Sequence, residues 1–306
     1  MAIIDTFKRR YNRLHYGFDT HGEFFLQYLD RAAVKFFGKT TTFYRKAHLR
    51  RLIKTFTDGN IYRIRDVKLP VLNKSDEILF FIAIYEDTFG AYVNFNDNYS
   101  EEISDLCDEI LVEGLYGVVN NKVNVTVKPG DIVIDAGSWI GDFAAYASVK
   151  GATVYAFEPT ETTFELLKKT AELNGNITPI NKGLSDENTD LTLYVNAEGN
   201  SGGNALKDKT TEKMIPTSSV STIRLDDFVR ENNLPRVDFI KADIEGFERH
   251  MLAGAQETLA RFAPKLALCT YHLPDDPQVM AELILKANPK YNIVQKCMKL
   301  FASVPE

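Results

Sequence analysis

The chain has 306 residues, 44% of them hydrophobic and 25% charged, which is the balance of a globular protein with room for a core domain of roughly 170–200 residues and a region ahead of it. No segment approaches the roughly 18 apolar residues of a membrane span, and the widely spaced Cys107, Cys269 and Cys297 form neither a C-x-x-C pair nor a disulfide framework. The net charge of −6 hides an asymmetry: residues 1–54 hold twelve Lys/Arg against four Asp/Glu, so the remainder carries −14.

That basic arm reads as a solvated helical face docked on the acidic body. Its alternative is a surface for an anionic partner such as a phosphorylated glycan carrier, a membrane surface or nucleic acid. The first ten residues place charge after the apolar positions and show no small-residue cleavage site, so a cytoplasmic address is expected.

In chain order, Ile4, Phe7, Tyr11, Leu14 and Phe18, then Phe24, Phe25, Tyr28 and Leu29, recur at helical steps. Another helix is predicted from Phe43 to Phe56, stopped by Asp58-Gly59-Asn60. Ile61 to Leu72 alternates, Ile78–Tyr85 and Ala91–Phe95 are β-rich runs, and Glu101–Leu111 is a predicted helix. Residues 1–111 are therefore expected to form a mainly helical region with a small strand pair, and residues 112–306 a second domain.

In that second part, Val123–Val127 is a short predicted strand. Strand Asp131–Ala136, helix Ile140–Val149, strand Thr153–Phe157, helix Thr162–Asn174 and strand Ile177–Leu184 follow. A strand Leu191–Val195 precedes the glycine-rich stretch from Asn196 to Asn204. Strand Ser219–Leu225, helix Asp226–Glu231, strand Val237–Ala242, helix Glu248–Phe262, strand Lys265–Tyr271, helix Pro277–Ala287 and strands Tyr291–Gln295 and Lys299–Ser303 complete the pattern. Such alternation implies right-handed βαβ units on a parallel sheet.

The chemistry is concentrated where Asp131-Ile-Val-Ile-Asp135 runs into Ala-Gly137-Ser-Trp-Ile-Gly141. A dinucleotide loop needs a glycine at Trp139 to let the backbone touch a pyrophosphate, and none is there. Asp135 would repel a phosphate, yet it suits a ligand carrying an ammonium and a sulfonium. Glu158, in Phe157-Glu158-Pro159, lies roughly twenty residues past Gly137, the spacing at which a carboxylate holds ribose hydroxyls. Lys241, Asp243 and Glu245 end the fourth strand and His272 the fifth, at the rim where parallel sheets keep their active groups.

Asp135-Ala-Gly137-Ser-Trp-Ile-Gly141, Phe157-Glu158-Pro159, Leu225-Asp226-Asp227, the run Ile240 to Glu248 and Tyr271-His272 resemble the successive motifs of the FkbM-type class I methyltransferases, over roughly residues 112–290. Trp139 departs from the small or amide residue common in that loop. The resemblance implies an α/β, Rossmann-like class I methyltransferase sheet, mostly parallel with a closing antiparallel strand. It implies S-adenosyl-L-methionine as cofactor and a small-molecule or glycan acceptor with a hydroxyl. Asp135 and Gly137 are then expected around the methionine part, Glu158 at the ribose and Asp186 at the adenine amino group, with Ser138, Gly141 and Pro159 also in contact with the cofactor. Asp243 and Glu245 complete the cofactor set, while His272, Asp243 and Lys241 are the catalytic candidates, with a neutral His272 as the base.

No metal ligands are assigned; the lesser reading places a divalent ion at Asp243 with Asp275 and Asp276. Methylation of a nucleic-acid base or another nitrogen, and binding without turnover, are the rival functions. Asp243-Ile-Glu245-Gly246 stands where amino-methyltransferases carry a D/N-P-P-Y motif, so nucleic acid is not expected as a partner.

Overall fold

The computed structural model describes residues 53–54, 56–78, 80–81, 116–196, 205–206, 214–296 and 298–305. Almost all of the predicted N-terminal helices lie outside the described residues. So do most of Ile78–Tyr85, the run Ala91–Phe95, the helix Glu101–Leu111, the boundary at 111–112 and most of the glycine-rich stretch 196–204. The chain forms two compact units, residues 1–62 and 63–306. No helix of the described residues is long and apolar enough to cross a membrane.

In the first unit, β1 (Thr57–Asp58) pairs antiparallel with the start of β2 (Ile61–Ile64). The alternating stretch Ile61–Leu72 is two strands, β2 and β3 (Val67–Pro70), because Arg65 enters the left-handed region at φ 55° and turns the chain. A short hairpin of β4 (Val118–Val119) and β5 (Asn124–Val125) leads into the main sheet.

The elements that follow are β6 (Ile132–Ala136), α1 (Asp142–Val149), β7 (Thr153–Phe157), α2 (Glu161–Asn174), β8 (Ile177–Ile180), β9 (Gly183–Ser185), β10 (Asp190–Asn196) and β11 (Met214–Arg224). Then come α3 (Leu225–Glu231), β12 (Phe239–Ala242), α4 (Glu248–Ala253), α5 (Gln256–Phe262), β13 (Lys265–Cys269), α6 (Asp276–Ala287), β14 (Asn292–Lys296) and β15 (Lys299–Ser303). Seven strands form one sheet in the order β14-β15-β13-β12-β6-β7-β8, with β15 alone antiparallel to its neighbours. This is the expected mostly parallel class I methyltransferase sheet.

Its central strands are buried on both faces, so their sequences read as apolar runs rather than alternation: Phe239, Ile240, Lys241 and Ala242 of β12 are all buried. Ile134, Leu252, Leu259, Leu266, Met280, Ile284 and Leu300 carry the core around it. Burial of Thr163, Leu167 and Thr170 along α2 follows four- and three-residue steps, the single stripe of a surface helix. The side-chain amide of Asn174 then bonds both the N–H and the carbonyl of Lys68, which pins β3 to the end of α2.

Two predicted elements are each divided. Ile177–Leu184 is β8 in the main sheet and β9 in a smaller sheet ordered β10-β11-β9, the chain leaving one sheet for the other after Ile180. Glu248–Phe262 is broken at Gly254, whose carbonyl accepts the Asp226 N–H (3.0 Å). The Asp226 carboxylate in turn accepts the N–H groups of Glu257 (3.1 Å) and Thr258 (2.8 Å), capping α5 from another helix.

Candidate functional site

Strands β6, β7, β12 and β13 bring their carboxyl ends to one edge of the sheet, and a cleft opens there. It takes in about 560 Å³ of space, open solvent included. Gly137 and Trp139 line it from the first loop, Phe157 to Thr160 from the second, Lys182 to Leu184 from the third, and Asp243 to Glu245 with Phe247 from the fourth. Ala205 and Leu206 also reach it.

Close packing of the first and fourth loops explains Gly137. Its φ is +71°, and a Cβ there would stand 1.9 Å from the Asp243 carbonyl oxygen. The N–H groups of Gly137 and Ser138 bond the Phe157 carbonyl, and the Ser138 hydroxyl turns inward to the Asp135 carbonyl (2.9 Å). Gly141, at φ +84°, allows contact with α2, where a Cβ would meet Leu167 Cδ1 at 2.6 Å. Gly137, Glu158, Pro159, Asp243 and Glu245 are thus the expected cofactor residues that face the cleft. Ser138 and Gly141 support the loop from behind.

Glu158 is 7% exposed, and each carboxylate oxygen accepts one backbone N–H: Oε2 from Trp139 (3.1 Å) and Oε1 from Thr160 (2.8 Å). Burial pushes its carboxyl up, these hydrogen bonds and the Lys241 charge pull it back, and it settles at about 7. Trp139 takes up the left-handed backbone at φ 48° that aims its N–H at Glu158.

Asp135 is not among the residues that line the cleft. It and Lys241 are both fully buried, paired at 3.1 Å between Nζ and Oδ1, and the same ammonium donates to the Gly137 carbonyl at 2.7 Å. Neither Asp135 oxygen has a well-directed hydrogen bond, so charge alone holds the pair. Lys241 therefore ties two strand ends together behind the cleft. Asp186 also lies off the lining: it accepts from Ser185 Oγ (3.0 Å) and meets His250 Nδ1 (3.1 Å). Partial burial raises its carboxyl, but these two contacts outweigh that and hold it below the usual carboxylate range.

A model of the methyltransferase FkbM domain matches residues 135–291, more than half of the chain, beginning at the very carboxylate that ends β6. The chain belongs to the FkbM methyltransferase domain family. Hexuronic acid methyltransferase AglP of Haloferax volcanii is 28% identical over 158 residues, 51% of this chain and 62% of that protein. Methyltransferase 1 of Beauveria bassiana is 30% identical over 194 residues, 56% of this chain and 74% of that one. The 31-O-demethyl-FK506 methyltransferase FkbM of Streptomyces tacrolimicus is 28% identical over 165 residues, 44% of this chain and 62% of that one. The match thus spans less than two thirds of the first and third of these relatives.

Within this FkbM domain, the rim beyond β12 and β13 is a dense polar cluster. Asp243 accepts one phenol on each oxygen, Tyr271 on Oδ1 and Tyr116 on Oδ2, both at 2.9 Å. Burial raises the Asp243 carboxyl, but His272, Lys241 and Tyr116 outweigh it and hold the group far below the carboxylate range. His272 has Nε2 3.5 Å from Asp243 and 3.4 Å from Glu248, and Nδ1 3.7 Å from Glu245. Burial lowers its pKa, while the three carboxylates, acting mainly through charge at these distances, lift it to about 10. At neutral pH His272 is an imidazolium, unlike the neutral ring the base role requires.

Glu248 is fully buried and accepts the N–H groups of Ile244 (2.8 Å) and Gly246 (3.0 Å), fixing the turn that carries Glu245. Asp275 and Asp276 are both engaged by Arg249, and Asp276 also caps the Leu273 N–H (2.7 Å), so they serve the start of α6. Sequence reasoning did not assign Tyr116, Tyr271 or Glu248. Tyr271 and Glu248 lie inside motif segments, whereas no local pattern marks Tyr116.

Proposed function

We propose that the protein is an S-adenosylmethionine-dependent O-methyltransferase acting on a hydroxyl of a sugar, a polyketide or a similar small molecule. The observation that carries this is Glu158: a carboxylate that lines the cleft at the ribose spacing from the glycine loop, held in place by the Trp139 and Thr160 N–H groups and the Thr160 side chain. Ile244, Leu184 and Phe247 offer apolar surface for a base, and the carboxylates of Asp243 and Glu245 reach the same cleft. The cofactor, when bound, supplies an activated methyl group on a sulfonium.

The chain's own part is to align and to exclude water, and alignment alone can contribute roughly 7–11 kcal/mol in favourable cases. Glu158 and Pro159 position one end of the donor, and Trp139 screens it from solvent. Asp243, fixed by Tyr116 and Tyr271, presents an oriented carboxylate to the acceptor side. A hydroxyl acceptor is supported by the relative named for 31-O-demethyl-FK506, and a sugar-type acceptor by the relative named for hexuronic acid.

Isothermal titration with S-adenosylhomocysteine tests the reading. One site per chain is expected, weakened about ten- to hundredfold in Glu158→Ala, since a hydrogen bond to a charged group contributes roughly 1.5–3 kcal/mol. Unchanged affinity in that variant removes the ribose assignment.

A further inference from the structure

One ligand-capable atom each of Asp243, Glu245 and His272 lies within 4.8 Å of the other two. They come from the ends of adjacent strands β12 and β13, paired in parallel. The chain spends strain to bring them together. Glu245 takes φ 59° and Gly246 φ 98°, and the first of these is a backbone that a non-glycine residue adopts only at a cost. Glu248 stabilises this turn by accepting two of its N–H groups.

His272 supplies a second, independent indication. Its side chain is 7% exposed, and its Nε2 lies 3.5 Å from Asp243 Oδ1 and 3.4 Å from Glu248 Oε1, within reach of their charge but with no well-directed hydrogen bond. A buried polar atom left in that state is costly, and native proteins seldom keep one without a use. Asp243 is not exhausted by its two tyrosines, because each carboxylate oxygen has a second lone pair.

We propose that Asp243, Glu245 and His272 form a binding site for a divalent cation of the manganese or magnesium class. Two carboxylates and an imidazole, which releases its ring proton to solvent as the ion binds, are hard and borderline donors that suit these ions. The nearby thiol of Cys269 meets the Tyr116 hydroxyl instead (3.3 Å), leaving no soft ligand to draw copper. Three protein ligands leave half of a six-coordinate shell free, and Asp243 and Glu245 both line the cleft. The free positions therefore face the acceptor side. Resting on the methyltransferase reading, this selects acceptors that present two oxygens on neighbouring carbons, a vicinal diol or a hydroxy acid.

The test separates the two readings. Full-length protein stripped with chelator is titrated with manganese(II), free ion being followed by its electron paramagnetic resonance signal, and S-adenosylhomocysteine binding is measured on the same sample. One manganese per chain is expected, weakened at least tenfold in Glu245→Gln and in Asp243→Asn, partly recovered in Glu245→Asp, and unchanged in Glu158→Ala. Circular dichroism confirms that each variant is folded, and Glu245, with a partly exposed side chain, is the substitution the fold tolerates best. No saturable manganese binding, binding indifferent to Glu245→Gln, or a site that takes zinc alone overturns the proposal. Manganese binding without any S-adenosylhomocysteine binding keeps the metal site and sinks the methyltransferase reading; the reverse result does the opposite.

Discussion

Glu158 shows how a single side chain acquires a property its sequence position does not reveal. Its place in the site was legible, because the interval from the glycine loop to the end of the second strand is set by one βαβ unit. Its proton affinity was not, because that depends on burial and on the Trp139 and Thr160 N–H groups that only the folded loops deliver. In the fold its pKa is about 7, above the ordinary 4.5 of a free carboxyl. Its contribution to stability is therefore full below the unfolded value and lost as pH rises through about 7. A diol donating to this group prefers the carboxylate. Affinity for S-adenosylhomocysteine should accordingly strengthen from about pH 6 to about pH 8 in the native chain and run flat in Glu158→Gln, as measured by calorimetry across that range. An equally sloped profile in the variant would assign the dependence to another group. Tyr116 marks the opposite limit: it reaches Asp243 from 127 positions away, and no spacing rule connects residues so distant.

At the level of elements, the strand and helix alternation was readable because each buried strand is an unbroken apolar run and each covering helix keeps one apolar stripe. Two boundaries were not. The break in α4–α5 depends on Asp226 arriving from α3 to take the N–H groups of Glu257 and Thr258, a tertiary cap with no local signature. The β8–β9 division depends on a change of sheet. Lys241 is a third case: within an apolar strand it looked like an active-site cation, and it is the register partner of Asp135 on β6. A fully buried pair of this kind is costly to break from one side. Lys241→Met should lower unfolding free energy by roughly 3–5 kcal/mol in urea denaturation, and Asp135→Leu combined with Lys241→Met should recover much of that loss. A cost for Lys241→Met no larger than that of a surface change would show that the pair does not hold the two strand ends together.

For the molecule as a whole, one sheet organises two unlike rims. Strands β6 and β7 carry the loops of Gly137 and Glu158, the proposed nucleoside side, while β12 and β13 carry Asp243, Glu245, Tyr271 and His272, the proposed acceptor side. The sheet and its single reversed strand were predictable from the order of apolar runs and from family resemblance. The chemistry of the second rim was not, because His272 draws its charge from three acids that meet only in the folded state. The position of β15 has one further consequence. It lies between β13 and β14, so the sheet's last strand in sequence is an interior strand in space. During synthesis, β13 keeps an open edge and β14 has no partner until residues 299–303 are made, whereas β6, β7 and β8 can pair long before. The rim that carries Gly137 and Glu158 can mature first on the growing chain, and the rim that carries Asp243 and His272 is finished last.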